Sequence, residues 1–107
     1  MKIIQEHKDE IITLCEKHNV NELFAFGSVL TDAFNKNSDI DLLVKFENVD
    51  LYEYFDNYME FKESLENQLK RTVDLVEIQT LKNPILKRSI DNTKTKVYGR
   101  QDSKMAV

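Results

Sequence analysis

The sequence predicts one small α/β domain, of the α+β kind, in which a mixed sheet is flanked by helices. Apolar residues at helical spacing alternate along the chain with short β-rich runs, and 107 residues leave room for one hydrophobic core rather than two. The chain also has no internal repeat and no Gly/Ser/Pro-rich linker, with two glycines and one proline in all, so no domain boundary is drawn. The domain is expected to occupy residues 1–99. Residues 100–107 carry no pattern and are expected to form a frayed, disordered tail.

Taken in order, Ile4, Ile11, Leu14 and Cys15 fall at helical spacing with charge between them, which predicts an amphipathic helix from Ile4 to His18. Leu23-Phe24-Ala25-Phe26 is an apolar run stopped by Gly27 and reads as a buried strand. Ser28 is placed to N-cap a short helical turn from Val29 to Phe34. The polar turn Asn35-Lys36-Asn37-Ser38 then introduces a second strand, Ile40 to Phe46. From Leu51 to Lys70, the residues Leu51, Tyr54, Phe55, Tyr58, Phe61, Leu65 and Leu69 recur at steps of three and four, which predicts a long helix closed by a Glu66–Lys70 pair. Its aromatic set Tyr54, Phe55, Tyr58 and Phe61 is assigned to the core, with Tyr52 and Met59 outside the stripe. Thr72 to Ile78 is β-rich and almost continuously apolar, hence an interior strand. Asn83-Pro84 supplies an N-cap and first residue for a helix through Ile90. Thr95 to Tyr98 is a last strand, closed by Gly99.

Composition narrows the function classes. Hydrophobic residues make up 41% of the chain and charged residues 32%, a balance that excludes disordered and collagen-like sequences. No run approaches the roughly 20 apolar residues of a membrane span, and Met1-Lys2-Ile3-Ile4-Gln5-Glu6 has no signal-peptide core. The single cysteine, Cys15, excludes an internal disulfide and a cysteine-based zinc site, so a cytoplasmic location is expected, with Cys15 itself in the core. A net charge of −4 disfavours nucleic acid as main partner, because neutralising several phosphates needs a basic face. Lys82, Lys87 and Arg88 read as a solvated surface, and His7 and His18 as surface or boundary positions.

The chemistry lies in Gly27-Ser28, ten intervening residues, and then Asp39-Ile40-Asp41. Alternate side chains on a strand share a face, so Asp39 and Asp41 project together while Ile40, Leu42 and Val44 point the other way. Two such carboxylates repel each other and call for a cation between them; hard oxygen ligands suit Mg²⁺ or Mn²⁺ shared with substrate phosphates. Asp74, set among Val73, Leu75 and Val76, is a third acid in a second apolar strand. If the strands are neighbours, the three carboxylates suit two metal ions about 3.5–4 Å apart with a bound nucleotide. Free backbone N–H groups at the Gly27-Ser28 turn, with the Ser28 hydroxyl, form a phosphate site that Gly27 leaves open for close approach. Glu77 points to the other face of its strand and reads as structural or solvated.

Gly-Ser, ten residues, Asp-x-Asp and a later strand aspartate resemble the signature of the DNA polymerase β-like nucleotidyltransferase superfamily. The chain is most similar to its minimal nucleotidyltransferases, the likeness running from Leu23 to Val44, through Val73-Asp74-Leu75-Val76, to Asn83-Pro84 and Val97-Tyr98-Gly99. The resemblance implies a palm-like mixed sheet and triphosphate contacts from Gly27 and Ser28. It also implies metal binding by Asp39 and Asp41, with Asp74 as third metal carboxylate and helper in deprotonating the acceptor hydroxyl. Many minimal members are antitoxins paired with a HEPN-domain RNase toxin, and some transfer AMP from ATP to a toxin tyrosine. The resemblance therefore implies a hetero-oligomer with a HEPN partner and ATP, or another nucleoside triphosphate, as donor. The chain departs from the usual motif after the serine, where many relatives carry an arginine: Val29-Leu30-Thr31-Asp32-Ala33 has no base. Triphosphate charge then falls to metal, backbone and the candidates Lys36 and Lys45. That departure favours one rival, an antitoxin that masks its partner by binding alone.

Overall fold

The computed structural model describes residues 1–100; most of the expected tail, residues 101–107, lies outside them. Two helices, α1 (Lys2–Glu6) and α2 (Lys8–Lys17), precede strand β1 (Val20–Phe26). A 3-10 turn (Gly27–Leu30) and a loop lead to β2 (Ile40–Phe46), then α3 (Leu51–Leu69), β3 (Val73–Glu77), a second 3-10 turn (Ile78–Thr80), α4 (Pro84–Thr93) and β4 (Thr95–Gly99). The sheet order is β3-β2-β1-β4, with β1 antiparallel to both β2 and β4 while β2 and β3 run parallel. The mixed sheet flanked by helices is thus the fold class expected.

Period-two alternation divides the sheet into two faces. On one, Leu23, Ala25, Ile40, Leu42, Val44, Val73, Leu75 and Val97 pack with Ile11 and Cys15 of α2 and Phe61, Leu65 and Leu69 of α3. On the other, Phe24 and Leu43 meet Ile90 of α4. The larger core therefore lies under α2 and α3, and the opposite face is only partly covered. Asp50 caps α3 by accepting from Tyr52 N–H, and Asn83 caps α4 by accepting from Ile85 and Leu86 N–H.

Several expectations need correction. The first helix is broken at His7, whose φ of −114° and ψ of 21° leave the helical region, so α1 and α2 are separate. Among the described residues β3 pairs with β2 alone and is an edge strand, not an interior one. Its apolar appearance comes from Val73 and Leu75 facing the main core and Val76 packing on the smaller one. In α3 the apolar stripe overruns the sheet at its N-terminal end: Phe61 is fully buried, but Phe55 is 70% and Leu51 83% exposed, and Tyr54 and Tyr58 are half-buried. Of the two residues outside the stripe, Tyr52 is exposed and Met59 is half-buried. Glu66 turns to the sheet and accepts from Val73 N–H at 3.0 Å. His18 is buried rather than at the boundary, its Nδ1 3.2 Å from Asn57 Oδ1 and its ring 5.7 Å from that of Phe61. Arg100, assigned to the tail, is anchored by a 2.8 Å ion pair with Glu47.

Candidate active site

β1 ends at Phe26, which pairs with Asp41 of β2, and Asp41 pairs in turn with Asp74 of β3. The three positions form one row across the sheet. Asp41 shares a face with Leu43, and Asp74 shares it with Val76, so both carboxylates project from the face that carries α4. Partner strands lie about 4.8 Å apart, which places the two acids side by side. Asp39 stands two residues before Asp41, at the exposed entrance to β2.

The turn after β1 closes this corner. Gly27 has φ +76°, a conformation that favours glycine, and a β-carbon on it would stand 2.4 Å from Asp41 Oδ2. The chain thus folds back against the Asp41 carboxylate with no room for a side chain. Ser28 does not cap the turn, as had been expected: Phe26 holds the N-cap position, no side chain caps it, and Ser28 is the second residue of a 3-10 helix. Its carbonyl accepts from both the N–H and the hydroxyl of Thr31. The turn is short because Thr31 returns to extended backbone, φ −126° and ψ 167°.

Burial first, then the charges of Asp74 and Asp39, push the Asp41 carboxyl above its ordinary range. The site is therefore an acidic corner that gains from a cation. Asp74 is exposed rather than enclosed by apolar neighbours, because β3 is an edge and its outward residues alternate into solvent. Among the described residues no three His, Cys, Asp or Glu side chains already converge as a metal-holding group. Mg²⁺ keeps several waters and takes one or two carboxylates plus substrate phosphates, and Asp41 with its charged neighbours Asp74 and Asp39 supplies oxygen donors of that kind. The donor set and the proton affinity of Asp41 both suit such an ion.

The remaining candidates fall outside this corner. Lys45 lies four residues along β2 from Asp41, roughly 13 Å at strand rise, and is exposed. Lys36 is exposed in the loop before β2. Glu77 is held by the Tyr54 hydroxyl and by Gln79 Nε2 at 2.9 Å, the structural one of the two roles expected of it. The Tyr54 phenol is pushed up to about 12, by burial first and then by that hydrogen bond. Cys15 is fully buried, and burial holds its thiol protonated. Arg71, which carried no signal in the sequence beyond its position ahead of β3, touches the loop leading to Asp39: its guanidinium donates to the carbonyls of Asn35 and Ser38. Among the described residues no helix is long and apolar enough to cross a membrane.

A family profile described as "Polymerase beta, Nucleotidyltransferase" matches residues 9–103. A candidate protein adenylyltransferase of Methanocaldococcus jannaschii is 34% identical over 90 residues, spanning 84% of this chain and 86% of that one. The protein adenylyltransferase MntA of Thermococcus cleftensis is 38% identical over 85 residues, spanning 79% and 80% respectively. The fold is similar to that of a chain in the solved complex of a tri-AMPylated HEPN toxin of Shewanella oneidensis with an MNT antitoxin. There the TM-score is 0.61 at 21% identity, over 95% of this chain and 77% of that one.

Proposed function

This chain belongs to the polymerase beta nucleotidyltransferase family, and we propose that it transfers AMP from ATP to a HEPN-type protein partner, silencing it as an antitoxin. The observation that carries the reading is the row Phe26–Asp41–Asp74, with Gly27 folded onto Asp41. It sets the Gly27-Ser28 turn, whose backbone is suited to receive phosphate, beside acids in need of a cation. Relatives bearing the name protein adenylyltransferase, and a solved complex containing an AMPylated HEPN toxin, support the choice of donor and acceptor.

In this reading the Gly27-Ser28 turn receives the triphosphate through its backbone N–H groups and the Ser28 hydroxyl. Asp39 and Asp41 hold Mg²⁺ or Mn²⁺, with Asp74 as the third ligand when two ions are present. The bound metal supplies neutralisation of the triphosphate charge and of the leaving pyrophosphate. The acceptor oxygen attacks the α-phosphorus as the α–β phosphoanhydride bond breaks, and its proton passes to Asp74. Asp74 suits that role because it stands on the solvent-facing edge strand, where a large acceptor has access. The test is incubation of the purified pair with Mg²⁺ and ATP, followed by intact-mass measurement. One or more AMP units on the partner are expected, and none in the presence of Asp41→Asn.

A second reading rests on a specific observation: Val29 to Ala33 contains no base, so the turn lacks a guanidinium for the triphosphate. A binding-only antitoxin would then neutralise its partner through contact. Partner neutralisation that survives Asp39→Ala/Asp41→Ala favours that reading over catalysis.

A further inference from the structure

We propose that Arg71 is a positioning residue that sets Asp39 against Asp41 and Asp74, an inference that rests on the metal-site reading above. Arg71 lies in the turn between α3 and β3, three residues before Asp74. From there it reaches the loop before β2, where its terminal nitrogen donates to two backbone carbonyls, those of Asn35 and Ser38. Its guanidinium carbon also sits 4.5 Å from the centre of the Phe34 ring. Within the loop Ser38 N–H donates to Asn35 O, Asn35 N–H to Ser38 Oγ, and Asn37 N–H to Asn35 Oδ1, and Phe34 at its start packs against the main core. The internal bonds shape the turn, Phe34 anchors its start, and Arg71 holds its end at Ser38, next to Asp39.

Asp39 directly follows this loop. Ile40 N–H donates to Thr72 O at 2.9 Å, which begins the β2–β3 pairing one residue beyond Asp39. Asp41 and Asp74 are therefore located by the strand register, while Asp39 stands just outside it. Beside the Ile40–Thr72 bond, the contacts of Arg71 with Phe34, Asn35 and Ser38 join the segment that ends in Asp39 to the segment that begins β3. A planar guanidinium stacks on the ring and donates in the same pose, which a flexible ammonium reproduces only in part.

The test is Mn²⁺ titration of the full chain, read by paramagnetic broadening of the Asp39, Asp41 and Asp74 backbone amides. Wild type is compared with Arg71→Ala, Arg71→Lys and Ile11→Val, the last a destabilised control in the core beneath α2. Arg71→Ala is expected to weaken Mn²⁺ binding about 10-fold, the usual loss when a ligand's supporting contact is removed. Broadening should fall first at Asp39, Arg71→Lys should recover part of the affinity, and Ile11→Val should bind as wild type does. Unchanged binding in Arg71→Ala, or a loss that Ile11→Val shares, overturns the positioning role while leaving the metal site standing. Absence of broadening in wild type overturns the metal-site reading itself and the proposal with it.

Discussion

Gly27 lies directly against the Asp41 carboxylate: a β-carbon on the glycine would stand 2.4 Å from Oδ2 and 3.3 Å from Cγ. The strand end and the acid are thus fitted to each other, and two effects make the position intolerant of a side chain. The φ of +76° costs about 1–2 kcal/mol for an L-residue. The contact also forces Asp41 to rotate away from the turn. Gly27→Ala is therefore expected to lower stability by about that amount in thermal unfolding. It should also weaken ATP binding by calorimetry, because the displaced Asp41 carboxylate no longer faces the turn.

Asp41 gives the pH dependence. Its carboxyl titrates above the ordinary 3.8, through burial and the charges of Asp74 and Asp39. The folded state thus binds this proton more tightly than the unfolded chain does. Its contribution to stability is greatest below the ordinary value and declines as pH rises through the window between that value and the raised one. Metal-free protein is expected to melt lower at neutral pH than Asp41→Asn does, a difference that shrinks in acid. Added Mg²⁺ should raise the melting temperature of wild type and leave that of Asp41→Asn nearly unchanged. Both shifts are read by thermal melts across pH.

The position of Gly27 at a strand end and of Asp41 within β2 was legible because both follow from local pattern, whereas Asp39, expected on the strand, lies just ahead of it. The adjacency of Asp74 was legible only as a condition, since strand order is decided by non-local pairing. For the same reason β3 read as interior: Val73, Leu75 and Val76 are apolar, but they serve two different faces of an edge strand. The overrun of α3 was hidden because periodicity reports which residues share a stripe, not how far the sheet beneath it extends. Phe55 and Phe61 look alike in sequence and differ by 70% exposure in the fold. Arg71 was missed because its partners are the main-chain carbonyls of Asn35 and Ser38, which no side-chain pattern announces.

That contrast within α3 is measurable. Phe61 is wholly buried, edge-on to Phe46 at 5.8 Å, so Phe61→Ala is expected to cost about 3–5 kcal/mol. Phe55→Ser, on the exposed part of the same stripe, should change stability by no more than about 0.5 kcal/mol. Urea unfolding of the two variants checks both values.

The Tyr58 hydroxyl donates to Leu75 O at 2.6 Å and ties α3 to the strand that carries Asp74. Tyr58→Phe leaves that carbonyl without its side-chain donor and is expected to cost about 1 kcal/mol. Faster hydrogen exchange along β3 than along β2 should accompany it.

The central claim, a metal-dependent nucleotide site at the Gly27–Asp41–Asp74 corner, is tested most directly by calorimetric titration of ATP into the protein. The titration is run with and without Mg²⁺, on wild type and on Asp39→Ala/Asp41→Ala, each alone and in complex with the HEPN-type partner. The account predicts binding that requires Mg²⁺ and is lost in the double variant. ATP binding that persists without metal, or survives removal of both aspartates, would contradict it, as would absence of binding even in the complex.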